Sequence, residues 1–299
     1  MSVVKSYVHG LAAASRRPKL VAILWLMNLA LAVPAFFILR SALGGTLGSS
    51  LEADSLLGKA WLNPIFEFLT SSGVVVGQIV TAVLVLVALQ VLAYIFAFGG
   101  ILGTLRPEPR SQGFGQVFFG GGGRFYGRFF RLVVYSLVLW VPALVLFQAA
   151  SSVIRLAAKD SVNERLTMSM GLLRVLLFLF LVFLVEMILD YARIKIALTD
   201  TRQVFRSLVG AARFVFSRPL KTVVLYYLLG LTGWAAFGIY LALRAAVPGT
   251  TTAAVIVGFL IAQAFLASRA WLRVAFLAAQ KDFLESAVPG LETAASLPT

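Results

Sequence analysis

The chain has 299 residues, 60% of them hydrophobic and 13% charged, with a mean hydropathy of +0.94. Soluble domains run near ~45–50% apolar and ~25% charged, so the apolar excess must face lipid rather than a protein interior. The net charge is +14, but the bases cluster beside apolar stretches, which points to an anionic membrane surface and away from nucleic acid. Without cysteine, disulfides, zinc thiolates and thiol catalysis are excluded, and the single histidine, His9, cannot supply a multi-histidine metal site.

The chain opens on a basic segment with Lys5, His9 and Arg16 at helical spacing, followed by Arg17-Pro18-Lys19. An apolar run over 20–39 comes next. Its length of ~20 residues fits a spanning helix better than a shorter signal-peptide core, so it is read as a retained first span. Further spans are predicted at 74–102, 132–154, 172–198, 223–243 and 252–279. Pro34 and Pro142 fall inside spans and are expected to kink them. Between the first two spans, 41–73 carries Glu52, Asp54 and Glu67. Its stretch 61–69 is apolar enough to lie on the bilayer surface or fold back on the bundle.

After the second span comes a basic segment with four consecutive glycines, Gly120 to Gly123. No Lys-Ser/Thr follows them, so a P-loop is excluded, and a hinge or tight turn is expected there. Arg124, Arg128 and Arg131 then share a helical face. They can bind lipid phosphates or snorkel to the interface. Gly99, Gly100 and Gly103, near the end of the second span, read as close helix packing.

In the fourth span Glu186, Asp190 and Arg193 fall on one helical face, and Arg269 and Arg273 stand one turn apart in the sixth. A charge at mid-membrane costs roughly 2.5–3.5 kcal/mol on insertion scales, so these groups are expected to meet. Asp190 and Glu186 should pair with Arg269 or Arg193. The cluster is either a substrate, ion or proton-relay site, or an interhelical ion pair that fixes packing. Asn28, Gln78, Gln90 and Gln263 read as helix-packing hydrogen bonds.

Between the fourth and fifth spans, Arg202, Arg206 and Arg213 lie on one face of a predicted interfacial helix. Val204, Phe205, Leu208, Val209 and Phe216 cover much of the remainder. Arg218-Pro219-Leu220-Lys221 repeats the earlier Arg-Pro exit into a span. Aligning the two Arg-Pro pairs superposes Lys5-Ser6 on Arg206-Ser207 and Val8 on Val209. The fourth and sixth spans also end alike, in Tyr191-Ala192-Arg193-Ile194 and Trp271-Leu272-Arg273-Val274. Three parallel repeats, 1–105, 106–199 and 200–282, are one reading. The other is that any basic-then-apolar junction looks similar in a membrane protein.

Orientation follows from the bases. Fifteen Lys and Arg fall in the segments on the side of the termini, against seven on the other side, so both termini are expected in the cytoplasm. The tail 283–299 contains Pro289, Gly290 and Pro298 and is expected to be disordered.

The layout resembles bacterial six-helix membrane proteins, and among them the membrane domain that accompanies some glycerophosphodiester phosphodiesterases. The resemblance is carried by a surface helix entering each odd span and by Asp190-Tyr191-Ala192-Arg193 followed by a basic amphipathic segment. It implies a bacterial inner-membrane location and supplies no catalytic residues. The layout is also similar to six-span permease subunits of ABC exporters, in which case 116–131 would serve as the coupling helix.

The expectation is therefore an all-α polytopic bundle of about six transmembrane helices over 1–282, with basic interfacial helices. No HExxH, GxSxG or paired histidines occur, so neither catalysis nor a cofactor or metal is expected. The expected role is an accessory, assembly or lipid-interacting subunit whose partners are anionic lipids and other membrane-complex subunits. The alternative is a transporter or permease subunit with a polar site at Glu186, Asp190 and Arg269.

Overall fold

A computed structural model of the protein describes residues 2–47, 73–106, 113–158, 164–247 and 251–288. Eight helices account for nearly all of these residues, and no strand occurs among them. They are α1 (Val3–Ser15), α2 (Pro18–Leu47), α3 (Gly73–Thr104), α4 (Phe114–Ala158), α5 (Glu164–Thr199), α6 (Val204–Ser217), α7 (Pro219–Ala245) and α8 (Thr252–Ala287). All except α1 and α6 are long and apolar enough to cross a membrane, which makes the chain a multi-pass helical membrane protein. The stretch 61–69, Lys59, Arg110, Lys159 and the tail beyond Val288 lie outside the described residues. α8 itself runs past the expected start of the tail, with Phe283 and Leu284 buried.

Prolines decide where the helices break. Pro18 and Pro219 open α2 and α7 in the first helical turn, where a missing N–H costs no hydrogen bond. Each also prevents the preceding basic helix from running on into the span. The middle junction has no proline between Arg124 and Leu132. There the basic segment and the span form one 45-residue helix, α4. The four-glycine run is therefore neither a hinge nor a turn, because Gly120 to Gly123 lie inside α4.

Packing explains the glycines. A Cβ on Gly99 would lie 2.8 Å from the Gly121 carbonyl oxygen, and one on Gly103 would lie 3.2 Å from the Gly121 Cα. α3 and α4 thus approach backbone to backbone, as small residues permit. Phe118 covers Gly100, and Phe96 covers Gly122. Pro34 and Pro142 sit inside unbroken helices.

The chain folds as two compact units, Ala22–Tyr94 and Met1–Val21 with Ile95–Thr299. In the smaller unit, the Asn28 side-chain oxygen of α2 accepts from Gln90 Nε2 at 2.9 Å and from the Tyr94 hydroxyl at 3.2 Å, both on α3. These are the helix-packing bonds expected of Asn28 and Gln90.

In the larger unit each basic segment packs on the end of the span-bearing helix before it, with α1 taking α8 as its predecessor. Gly10 of α1 meets Ala275 and Ala279 of α8, the start of α4 meets α3, and the ring of Tyr191 of α5 packs at a tilt against Phe214 of α6, 5.2 Å between centroids. α1 is further tied to α8 by His9 Nδ1 to Asp282 Oδ1 at 2.7 Å and by Trp271 Nε1 donating to Ser15 Oγ. Tyr7 of α1 bonds Thr232 of α7.

The deepest core lies at this basic end, with Ile101, Phe118, Phe125, Phe129, Tyr191, Ile194, Leu208, Val274 and Leu277 all sealed. The spans themselves are open. Their most apolar windows are 6% buried in α2 and α3 and no more than 22% buried in any helix. Faces such as Leu144–Val145 of α4 and Trp234–Ile239 of α7 therefore need lipid or a partner to cover them.

Candidate functional site: a buried ion cluster and a basic helical layer

Of the charges expected around Asp190, Arg193 and Arg273 meet the carboxylate, Glu186 stands at the edge and Arg269 lies outside. Asp190 is fully buried on α5. Its Oδ1 accepts from Arg193 Nη1 at 2.5 Å and from Arg273 Nη2 at 2.9 Å, while its Oδ2 accepts from Arg273 Nη1 at 3.0 Å. Arg273 thus grips the carboxylate with two parallel bonds, the stronger geometry for this pair. Both guanidinium groups also lie against the Phe98 ring of α3, at 4.7 Å for Arg193 and 4.6 Å for Arg273. Glu186 is more exposed and reaches Arg193 only at 4.0 Å. α3, α5 and α8 are joined at this point, at their ends nearest the basic segments.

Of the two partners expected for Asp190, Arg269 or Arg193, it is Arg193 that pairs. Arg269 and Arg273 stand one turn apart, and the bidentate grip of Arg273 occupies both oxygens of Asp190. Arg269 is exposed, with its guanidinium 6.0 Å from the Phe265 ring centroid. Among the described residues no carboxylate pairs with it. Glu186, Asp190, Arg193 and Arg273 sum to zero charge, so Arg269 is left as the surplus cation. Arg269 and Arg273 line a cavity of about 460 Å³ between α7 and α8, with Tyr226, Trp234, Phe237 and Phe265 among its walls.

The basic residues expected at lipid phosphates divide into two groups. Arg124 and Arg128 turn to Asp200, just beyond α5, and Arg128 also donates to the Asp200 carbonyl oxygen at 3.0 Å. Asp200 holds a left-handed backbone, φ 51°, which Asp tolerates better than most side chains. Burial acts to raise its carboxyl, but the hydrogen bonds and charge of Arg128 and Arg124 prevail and hold it below the usual carboxylate range. The second group, Arg131, Arg202, Arg206 and Arg213, stays exposed. Arg131 Nε bonds the Gly127 carbonyl of its own helix, and Arg206 bonds Gln203. Sequence reasoning misses Asp200, whose only signal is an acid isolated among bases at the end of an apolar run.

Helix α6 has three faces. Val204, Ser207, Leu208, Ala211 and Val215 are buried against the protein. About a third of a turn round lie Phe205, Val209 and Phe216, all exposed. Beyond these come Arg206 and Arg213, also exposed. α1 repeats the layout, with Ser6, Gly10 and Ala14 buried, Val4 and Val8 exposed, and Lys5 exposed beyond them. The register agrees throughout. Val204 and Pro219 open α6 and α7, each 201 residues after Val3 and Pro18 open α1 and α2.

The fold and the cluster define the class as a multi-pass α-helical membrane protein. Among the described residues no group of His, Cys, Asp and Glu could hold a metal ion. No protein-family model, curated protein or solved structure matches the chain.

Proposed function

We propose that this protein is a non-enzymatic, lipid-interacting accessory subunit of a membrane complex. In this reading it sits in a bacterial inner membrane with both termini cytoplasmic, and its basic helices rest on the anionic leaflet. The observation that carries the reading is the three-faced geometry of α6, which α1 repeats. A helix with one protein face, one exposed apolar face and one basic face fits the corner where protein, acyl chains and phosphates meet. The weakly buried spans leave apolar surface for lipid or for partner helices. The Asp190 cluster is closed by two arginines, which favours a packing role over an ion path.

The absence of cysteine makes the test clean, since any introduced cysteine is unique. Spin labels at Val209→Cys and Arg213→Cys are compared in proteoliposomes containing anionic lipid. The Val209 label should be relaxed chiefly by oxygen, which concentrates among acyl chains, and the Arg213 label by a water-soluble relaxant. Equal aqueous access at both positions would refute the interfacial placement. Mild-detergent extraction should recover the protein with lipid or other subunits, and repeated recovery of a bare, folded chain would count against the accessory role.

A further inference from the structure

The groove between α7 and α8 has features that the interfacial reading does not use. Its floor and walls are aromatic: Tyr226, Trp234, Phe237 and Phe265. Two glycines on α7, Gly230 and Gly233, help to shape it. A Cβ on Gly233 would strike Leu272 at 2.8 Å, so that glycine serves helix contact. A Cβ on Gly230 would meet nothing within 4 Å, so that glycine leaves the groove open.

The charge is equally particular. Arg269 is the cation left over once Arg193 and Arg273 have been neutralised by Asp190 and Glu186. It lies two residues before Trp271 and six before Ala275, the α8 positions that α1 reaches nearest the span, which puts it about 3–9 Å further toward the span at 1.5 Å per residue. With α1 resting on the membrane surface, as proposed above, that position falls just beneath the headgroups, where an unpaired charge is costly. The described residues offer it no carboxylate, so a counter-charge has to come from the membrane.

We propose that the α7–α8 groove binds one anionic phospholipid, whose phosphate pairs with Arg269 and whose acyl chain lies along Trp234, Phe237 and Phe265. The proposal rests on the lipid-interacting reading and deepens it from a general surface to one site. The net single positive charge of the groove complements a lipid of net negative charge. A zwitterionic headgroup brings its own cation beside the guanidinium groups. The apolar length of the groove demands a chain attached to the phosphate, which free phosphate lacks.

The test is native mass spectrometry of the whole 299-residue chain in detergent. It is titrated with phosphatidylglycerol, with phosphatidylcholine of the same chains, and with glycerol phosphate. The chain should retain one phosphatidylglycerol in preference to phosphatidylcholine, and glycerol phosphate should not displace it. Arg269→Gln should weaken that one binding event about tenfold, as expected for loss of a charge-assisted contact. Arg269→Lys should restore part of it. Gly230→Leu, which fills the groove where space exists, should abolish it without lowering the melting temperature.

An Arg206→Gln/Arg213→Gln double variant should keep the single tight lipid while losing loosely held ones. If the double variant loses lipid and the two groove variants do not, the groove proposal fails and the interfacial reading stands. If glycerol phosphate displaces the lipid, the site is a phosphate site and the lipid assignment is overturned. Equal retention of the two lipids by every variant would also overturn it.

Discussion

Arg273 of α8 holds Asp190 of α5 through two bonds of 2.9 and 3.0 Å, in a place where the carboxylate has no exposure to solvent. The two residues are 83 positions apart and belong to different spans. Ions taken out of water gain from such a pair only when the geometry is good and every remaining charge is answered. Here Arg193 answers the same carboxylate, and Phe98 offers its ring to both arginines.

Asp190→Asn should therefore be severe. It leaves the buried Arg193 and the half-buried Arg273 with only the more distant Glu186 to answer them, a loss of about 3–5 kcal/mol. Thermal unfolding in detergent should show a large fall in midpoint. Adding Arg273→Met should recover part of it, because the second change removes one of the orphaned charges. A single variant that melts with the wild type would show that the pair contributes nothing.

The glycines of α4 should separate into two kinds. Gly121→Ala places a Cβ 2.8 Å from the Gly99 carbonyl oxygen, so the helices must move apart and stability should fall by more than about 1 kcal/mol. Gly123→Ala meets nothing within 4 Å and should stabilise α4 by roughly 0.5–1 kcal/mol through helix propensity. Melting curves of the two variants should move in opposite directions.

Acid should release the Asp200 clamp. The Asp200 carboxyl titrates below its ordinary value in the folded protein, so its contribution is present above the unfolded value near 3.8. It is lost as pH falls through the lower folded value. Hydrogen exchange across 199–204 should rise on acidification below about pH 4 in the wild type. In Asp200→Asn exchange there should already be raised at neutral pH and should change little with acid.

The polar contact of the smaller unit should matter much less. Asn28→Ala removes the acceptor shared by Gln90 and Tyr94. Interhelical hydrogen bonds in membranes average about 0.6 kcal/mol, so the total loss should stay near ~1 kcal/mol. A loss comparable to that of Asp190→Asn would contradict this ranking of the two sites.

Much of this architecture can be read in the residues. The spans follow from apolar length, and the breaks before α2 and α7 follow from Arg17-Pro18 and Arg218-Pro219. The close approach at Gly99 and Gly103 follows from side-chain size. The fusion of the middle basic segment into α4 is equally written there, in the absence of a proline, but the glycine run points the other way, toward a turn. Glycine disfavours an isolated helix by about 1 kcal/mol per residue, and a tight interface more than offsets that cost. The Asp190 cluster is legible as a set of charges. Which arginine closes it is not, because a choice between Arg269 and Arg273 depends on the rotation and height of α8, which helical periodicity does not reveal. Arg124 and Arg128 look like lipid contacts for a related reason. Their acid, Asp200, lies more than seventy residues away along the chain.

The packing of α1 on α8 bears on how the molecule is made. His9 and Asp282 are 273 residues apart, and Gly10 packs so closely on Ala275 and Ala279 that a Cβ there would clash. α1 leaves the ribosome long before α8 and finds its platform only when α8 arrives. Until then the small-residue face of α1, Ser6, Gly10 and Ala14, lacks the helix that covers it, and α7 offers a contact, through Thr232 to Tyr7. Closure of the fold thus waits on the synthesis of α8, and a chain stopped before residue 275 would carry an early helix without the Ala275–Ala279 surface that Gly10 packs on.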